Sequence, residues 1–107
     1  MDKSTLVEKY YLCLDDDEYE ALRSILHPDF VQHRPDRSFE GREAFVEFMR
    51  DERPQTDTTH RVDTLLESAD GLAASGRLLD SEGDELFAFI DVFRFDGGRI
   101  RAVDTFS

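Results

Sequence analysis

At 107 residues the chain is long enough for one hydrophobic core and too short for two ordinary domains, and nine Phe among 39% hydrophobic residues exclude a disordered chain despite 36% charged residues. A net charge of −12 repels phosphate and argues against a nucleic-acid partner. No apolar run approaches the roughly 20 residues of a membrane span, Met1-Asp2-Lys3-Ser4 lacks the basic and apolar series of a signal peptide, and the lone Cys13 has no disulfide partner.

These features lead to the expectation of a cytoplasmic chain, one domain over residues 1–107, with Cys13 as a small buried hydrophobe. Acid outweighs base along the whole length, and Lys3 and Lys9 are the only lysines among 13 basic residues. That pattern resembles proteins of salt-loving archaea, whose carboxylate surfaces stay hydrated in concentrated salt. An acidic face for a basic partner is the rival reading.

Thr5 and Glu8 have the spacing of a capping box for a first helix over about residues 5–14. Leu6, Val7, Tyr10, Tyr11 and Leu14 recur at helical spacing and mark its buried stripe. The run Asp15-Asp16-Asp17 breaks this helix and suits the start of the next, as a solvated cap. The second helix runs to about Leu26, burying Tyr19, Leu22, Ile25 and Leu26, and His27-Pro28 ends it. Residues 29–34 form a short predicted strand closed by Pro35. Gly41 opens a third helix over about residues 42–50, with Ala44, Phe45, Phe48 and Met49 inward.

From Thr58 the period changes to two. Turn signals at Asp70-Gly71, Glu82-Gly83 and Asp96-Gly97-Gly98 divide four strands, about 58–68, 72–80, 85–95 and 99–106, into an antiparallel meander. The third of these carries Phe87, Phe89, Asp91, Phe93 and Phe95 on one face and Leu86, Ala88, Ile90, Val92 and Arg94 on the other. Both faces need cover. A two-fold partner sheet over the second face predicts a homodimer through the sheet.

A charge among four phenyl rings costs several kcal/mol unless it is paired, protonated or solvated in a cavity. A two-residue turn at Glu82-Gly83 sets Ala74 beside Asp91 and Gly76 beside Phe89, and these small residues leave room for a cavity. Asp91 is then a pocket acid with a raised pKa, or half of an ion pair with Arg34 or Arg77. His33 and His60 on predicted strands can act as acid or base near neutral pH. Three scattered histidines make a poor metal site, and Ser38, Ser75 and Ser81 stand in no Ser–His–Asp context.

The segment from Phe89 through Asp91-Val92-Phe93-Arg94-Phe95-Asp96-Gly97-Gly98 to Ile100 resembles the penultimate hairpin of the nuclear transport factor 2-like superfamily. His27-Pro28-Asp29-Phe30-Val31 and Phe39-Glu40-Gly41-Arg42-Glu43-Ala44-Phe45 are similar to its stretch between second and third helices. Its ketosteroid isomerase and SnoaL-like polyketide cyclase branches are the nearest in pattern. The resemblance implies an α+β cone, three N-terminal helices closing a strongly curved antiparallel sheet around a small apolar molecule, with no cofactor. Asp91 matches the acid that hydrogen-bonds the substrate oxyanion in the isomerases, or serves as base in the cyclases. Tyr10 matches the isomerases' oxyanion tyrosine. Where they carry a base aspartate before a proline this chain has Arg34, which cannot remove a proton near neutral pH.

Two functions follow. The first is an isomerase- or cyclase-like enzyme for a small apolar carbonyl compound, using Asp91, Tyr10 and either Arg34 or His33. The second is a non-catalytic binding or dimerisation module. The resemblance also favours Val103 over Asp104 as the residue beside Asp91.

Overall fold

The computed structural model describes residues 1–107, with three helices and six strands in the order α1 (Lys3–Asp15), α2 (Tyr19–Ile25), β1 (Leu26–His33), β2 (Ser38–Glu40), α3 (Arg42–Asp51), β3 (Thr59–Glu67), β4 (Gly71–Leu79), β5 (Glu85–Asp96) and β6 (Arg99–Phe106). Asp2, not a Thr5–Glu8 box, caps α1: its Oδ1 accepts the Thr5 N–H at 2.8 Å. The expected stripe of Leu6, Val7, Tyr10, Tyr11 and Leu14 is buried, as is Cys13. The helix stops where Asp17 takes φ 58°, a left-handed conformation that aspartate tolerates better than most residues.

Leu22 and Ile25 bury the inner side of α2, and Leu26 already belongs to β1. The helix ends at Ile25, one residue before the expected Leu26, and Pro28 lies inside the strand that follows directly. Pro28 falls where the β1–β6 pairing is irregular, between Leu26↔Ile100 and Val31↔Ala102, so the proline breaks no regular ladder. β1 pairs parallel with β6, whereas every other pairing is antiparallel. The sheet is therefore mixed, in the order β2-β1-β6-β5-β4-β3, and not wholly antiparallel. The three-residue β2 lies outside all the predicted strands.

The meander has the expected order and near-expected bounds. Ala74 lies opposite Asp91 and Gly76 opposite Phe89. The loop before β5 is longer than two residues, closing between Asp80 and Asp84, and an extra residue at Leu86 restores the register. Further irregularities fall at Asp63 in β3 and Arg101 in β6. Such extra residues bend strands, and here they curl the sheet around α1 and α3. The core lies in that concavity, with Tyr10, Phe30, Phe45 and Phe93 among its fully buried side chains. The opposite face of the sheet leaves Leu66, Ile90 and Phe106 exposed. No helix is long and apolar enough to cross a membrane.

Candidate functional site

Asp91 stands at the middle of β5 on the concave face, only 5% exposed. The tyrosine that reaches it is Tyr11: its hydroxyl donates to Asp91 Oδ2 at 2.6 Å. The Thr105 hydroxyl donates to Oδ1, also at 2.6 Å. Thr105 in turn accepts the Gln32 Nε2 amide at 3.0 Å, so one relay runs from β1 through β6 to β5. The neighbour of Asp91 on β6 is Thr105, and neither Val103 nor Asp104. Gly97-Gly98 do form a two-residue turn, but the extra residue at Arg101 shifts the pairing by one, and Val103 faces Phe93 instead.

Burial pushes the Asp91 carboxyl above the ordinary aspartate range. The bonds from Thr105 and Tyr11 oppose that push, as do the charges of His60 and Arg34. Asp91 makes no ion pair. Arg77 binds Asp63 and Glu85, and Arg34 Nε lies 3.8 Å from Asp36. The phenol of Tyr11 is raised by burial first and by the Asp91 charge second, so it remains a donor at any ordinary pH.

Asp91, Thr105, Tyr10, Arg34, His60 and Phe89 belong to the wall of one cavity of about 720 Å³. The β1–β2 turn and the segment after α3 also contribute to its lining, with Pro35, Arg37 and Pro54. Tyr10 is thus at the wall but not on Asp91. Its ring is fixed edge-on to Phe93 at 5.3 Å and stacked with Phe45 at 6.1 Å. His33, in contrast, is exposed beside Ser38 and does not line the cavity. Strand alternation turns it away from the concave face that its neighbour Gln32 shares.

His60 occupies the position expected of His33. Its ring packs on Tyr11 at 5.1 Å and on Phe89 at 5.7 Å, and its Nδ1 lies 2.6 Å from Asp15 Oδ1. Asp15 is therefore a bonded residue at the end of α1 and not part of a solvated cap. The sequence signal for it was slight, an aspartate at the boundary between a helix and a turn. No group of three or more His, Cys, Asp and Glu side chains is placed to hold a metal ion.

The SnoaL-like domain family matches residues 7–103 of the sequence. Among solved structures, a candidate ketosteroid isomerase from Kribbella flavida is 25% identical, with a TM-score of 0.83 over 95% of this chain and 74% of that one. A candidate polyketide cyclase from Sinorhizobium meliloti is 14% identical, with a TM-score of 0.81 over 95% and 94% of the two chains. A nuclear transport factor 2-like protein of unknown function from Cytophaga hutchinsonii is 16% identical and reaches 0.85 over 99% and 89%. The sequence matches no curated protein. The chain belongs to the SnoaL-like domain family, and it shares its fold with the nuclear transport factor 2-like protein.

Proposed function

We propose that this SnoaL-like chain holds a small, mostly apolar carbonyl compound in the cavity and promotes proton transfer beside the carbonyl, as an isomerase or cyclase does. The observation that carries this reading is the Asp91 carboxyl, buried in the cavity wall and pinned by Tyr11 and Thr105. Burial raises its pKa, and in its neutral form the acid can donate a hydrogen bond to a ligand oxygen as negative charge develops there. Tyr10 and Arg34 are further polar groups at the wall. The candidate isomerase and cyclase with the same fold support the reaction class.

A second reading, a ligand-binding module without catalysis, draws on Arg34. In the resembling isomerases a base aspartate precedes the proline, and an arginine cannot replace it.

The test of the binding reading uses 2-naphthol, an apolar phenol whose oxygen imitates an enolate. Titration followed by NMR is expected to shift the Asp91, Thr105 and His60 resonances together. Asp91→Ala is expected to weaken binding about tenfold, the value of one hydrogen bond near 1.4 kcal/mol. Absence of binding, or shifts confined to the exposed sheet face, overturns it.

A further inference from the structure

His60 in the cavity wall is paired with Asp15, which does not itself line the cavity. Asp15 closes α1, and His60 is the second residue of β3. The Asp15 carboxylate accepts the His60 backbone N–H at 3.1 and 3.0 Å through its two oxygens, and Oδ1 lies 2.6 Å from the ring Nδ1. Their side chains are 11% and 17% exposed. A carboxylate has no proton to give, so Nδ1 carries the hydrogen, and in the neutral form of the ring the lone pair lies on Nε2. Nε2 has no hydrogen-bond partner within the chain, and Tyr11 and Phe89 hold the ring in place at the wall.

The pair adjoins Asp91. Tyr11 is the phenol bonded to Asp91, and Phe89 precedes Asp91 by two residues on the same face of β5. When His60 takes up a proton, its charge is felt at Asp91. Holding α1 to β3 needs only the backbone bonds from Asp15. The additional contact at Nδ1 fixes the tautomer and leaves Nε2 as the free ring nitrogen.

We infer that the Asp15–His60 pair is the base of this pocket, with His60 Nε2 taking the proton from the carbon beside the ligand's carbonyl. The inference rests on the proton-transfer reading above and supplies the base that Arg34 cannot be. The C–H electron pair becomes the new C=C bond, and the carbonyl π pair moves to oxygen, which receives the hydrogen bond of Asp91. The proton rests on Nε2, its imidazolium stabilised by Asp15, and returns to the same carbon or a conjugated one. Nothing is oxidised or reduced. Asp15 is a positioning residue, and His60 is the catalytic one.

The experiment follows deuterium entry into the α-positions of 2-tetralone in D2O by proton NMR, with binding measured in parallel. The wild-type chain is expected to exchange faster than buffer, and His60→Gln to lose about a hundredfold, the scale of general-base catalysis. Asp15→Asn keeps an oxygen for the His60 backbone N–H. It is expected to retain binding, lose about tenfold in exchange and move the ring proton to Nε2 in nitrogen–proton correlation spectra. Exchange at the wild-type rate in His60→Gln overturns the inference, as does a wild-type ring with its proton on Nε2. The latter measurement decides even if His60→Gln does not fold. Binding of 2-tetralone without exchange overturns the base but leaves the ligand-holding reading intact, whereas failure to bind overturns both.

Discussion

Thr105 lies across the β5–β6 ladder from Asp91, and its hydroxyl donates to Asp91 Oδ1 at 2.6 Å while accepting the Gln32 amide at 3.0 Å. A hydroxyl has one proton. With that proton committed to Asp91, Thr105 has none for a ligand, and any donor at this point of the cavity is the carboxyl itself. Tyr11 does the same at Oδ2. Two donors favour the ionised carboxylate and burial favours the acid, with burial the larger effect.

Removing either donor therefore moves Asp91 further upward. Tyr11→Phe is expected to raise its titration midpoint in carbon-detected NMR and to cost about 1–2 kcal/mol in urea unfolding, the scale of a hydrogen bond to a group that ionises. Tyr10→Phe leaves that midpoint in place, because the Tyr10 hydroxyl makes no bond to Asp91. Equal effects of the two substitutions would contradict this arrangement.

The direction of the Asp91 shift also fixes the sign of a pH effect. Its folded pKa is raised, so the native state binds more protons than the unfolded chain. The resulting stability is present below the unfolded value of about 3.9 and is lost as pH rises through the folded value. Asp91→Asn has no carboxyl to titrate and so lacks this pH dependence. Urea unfolding of both chains from acid to neutral pH is expected to move the difference against the wild type as pH rises. A difference that moves the other way would mean that Asp91 is held as a stabilised anion.

The local pattern of β5 was legible because alternation along one strand is a property of neighbours in sequence. Phe89, Asp91 and Phe93 are buried, while Ala88, Ile90 and Arg94 are not. Ala74 does lie opposite Asp91, but not through the expected two-residue turn: the longer Asp80–Asp84 loop is offset by the extra residue at Leu86. The choice between Tyr10 and Tyr11 was not legible. They sit about 100° apart on one buried helix face, and only the position of β5 decides which phenol meets the carboxyl. The parallel β1–β6 pairing, Thr105 and the Asp15–His60 contact depend on chain segments far apart in sequence. A single extra residue at Arg101 exchanged Thr105 for Asp104 as the neighbour of Asp91.

Gly76 of β4 stands between the β3 backbone at Arg61 and the Phe89 ring of the cavity wall. A Cβ there would collide with the Arg61 carbonyl oxygen and stand 3.0 Å from the Phe89 ring. Gly76→Ala must push β3 outward or turn Phe89 into the cavity. The expected cost is about 2–3 kcal/mol, the upper range for overpacking, read as a lower urea midpoint. An unchanged midpoint would show that the two strands lie further apart than described.

The acidic surface leads to a proposal about salt. Carboxylates outnumber basic side chains 25 to 13, and most of their pairings are at the exposed surface. Screening relieves repulsion between charges more than about 10 Å apart at 0.1 M salt and more than about 3 Å apart at 1 M. The melting temperature is expected to rise by several degrees between dilute and molar potassium chloride. A flat or falling curve removes the halophilic interpretation.

The outer face of the sheet supports the proposal of a homodimer. Ile90 pairs with Phe106 across β5–β6, and the two are 47% and 57% exposed. Leu66, across from Ala73 on the same outer side, is 67% exposed. All three helices pack on other elements of the concave side, so nothing within the chain covers this face. A second copy related by a two-fold axis presents the same residues back to it and lets both faces dry together. Light scattering at micromolar concentration is expected to give twice the 12.4 kDa of one chain. Ile90→Asp places a charge at the centre of the proposed contact without touching the cavity wall. It should yield monomers that keep their fold by circular dichroism and still bind 2-naphthol. A wild-type monomer at these concentrations would mean that the apolar face is solvated, and the dimer would have to be abandoned.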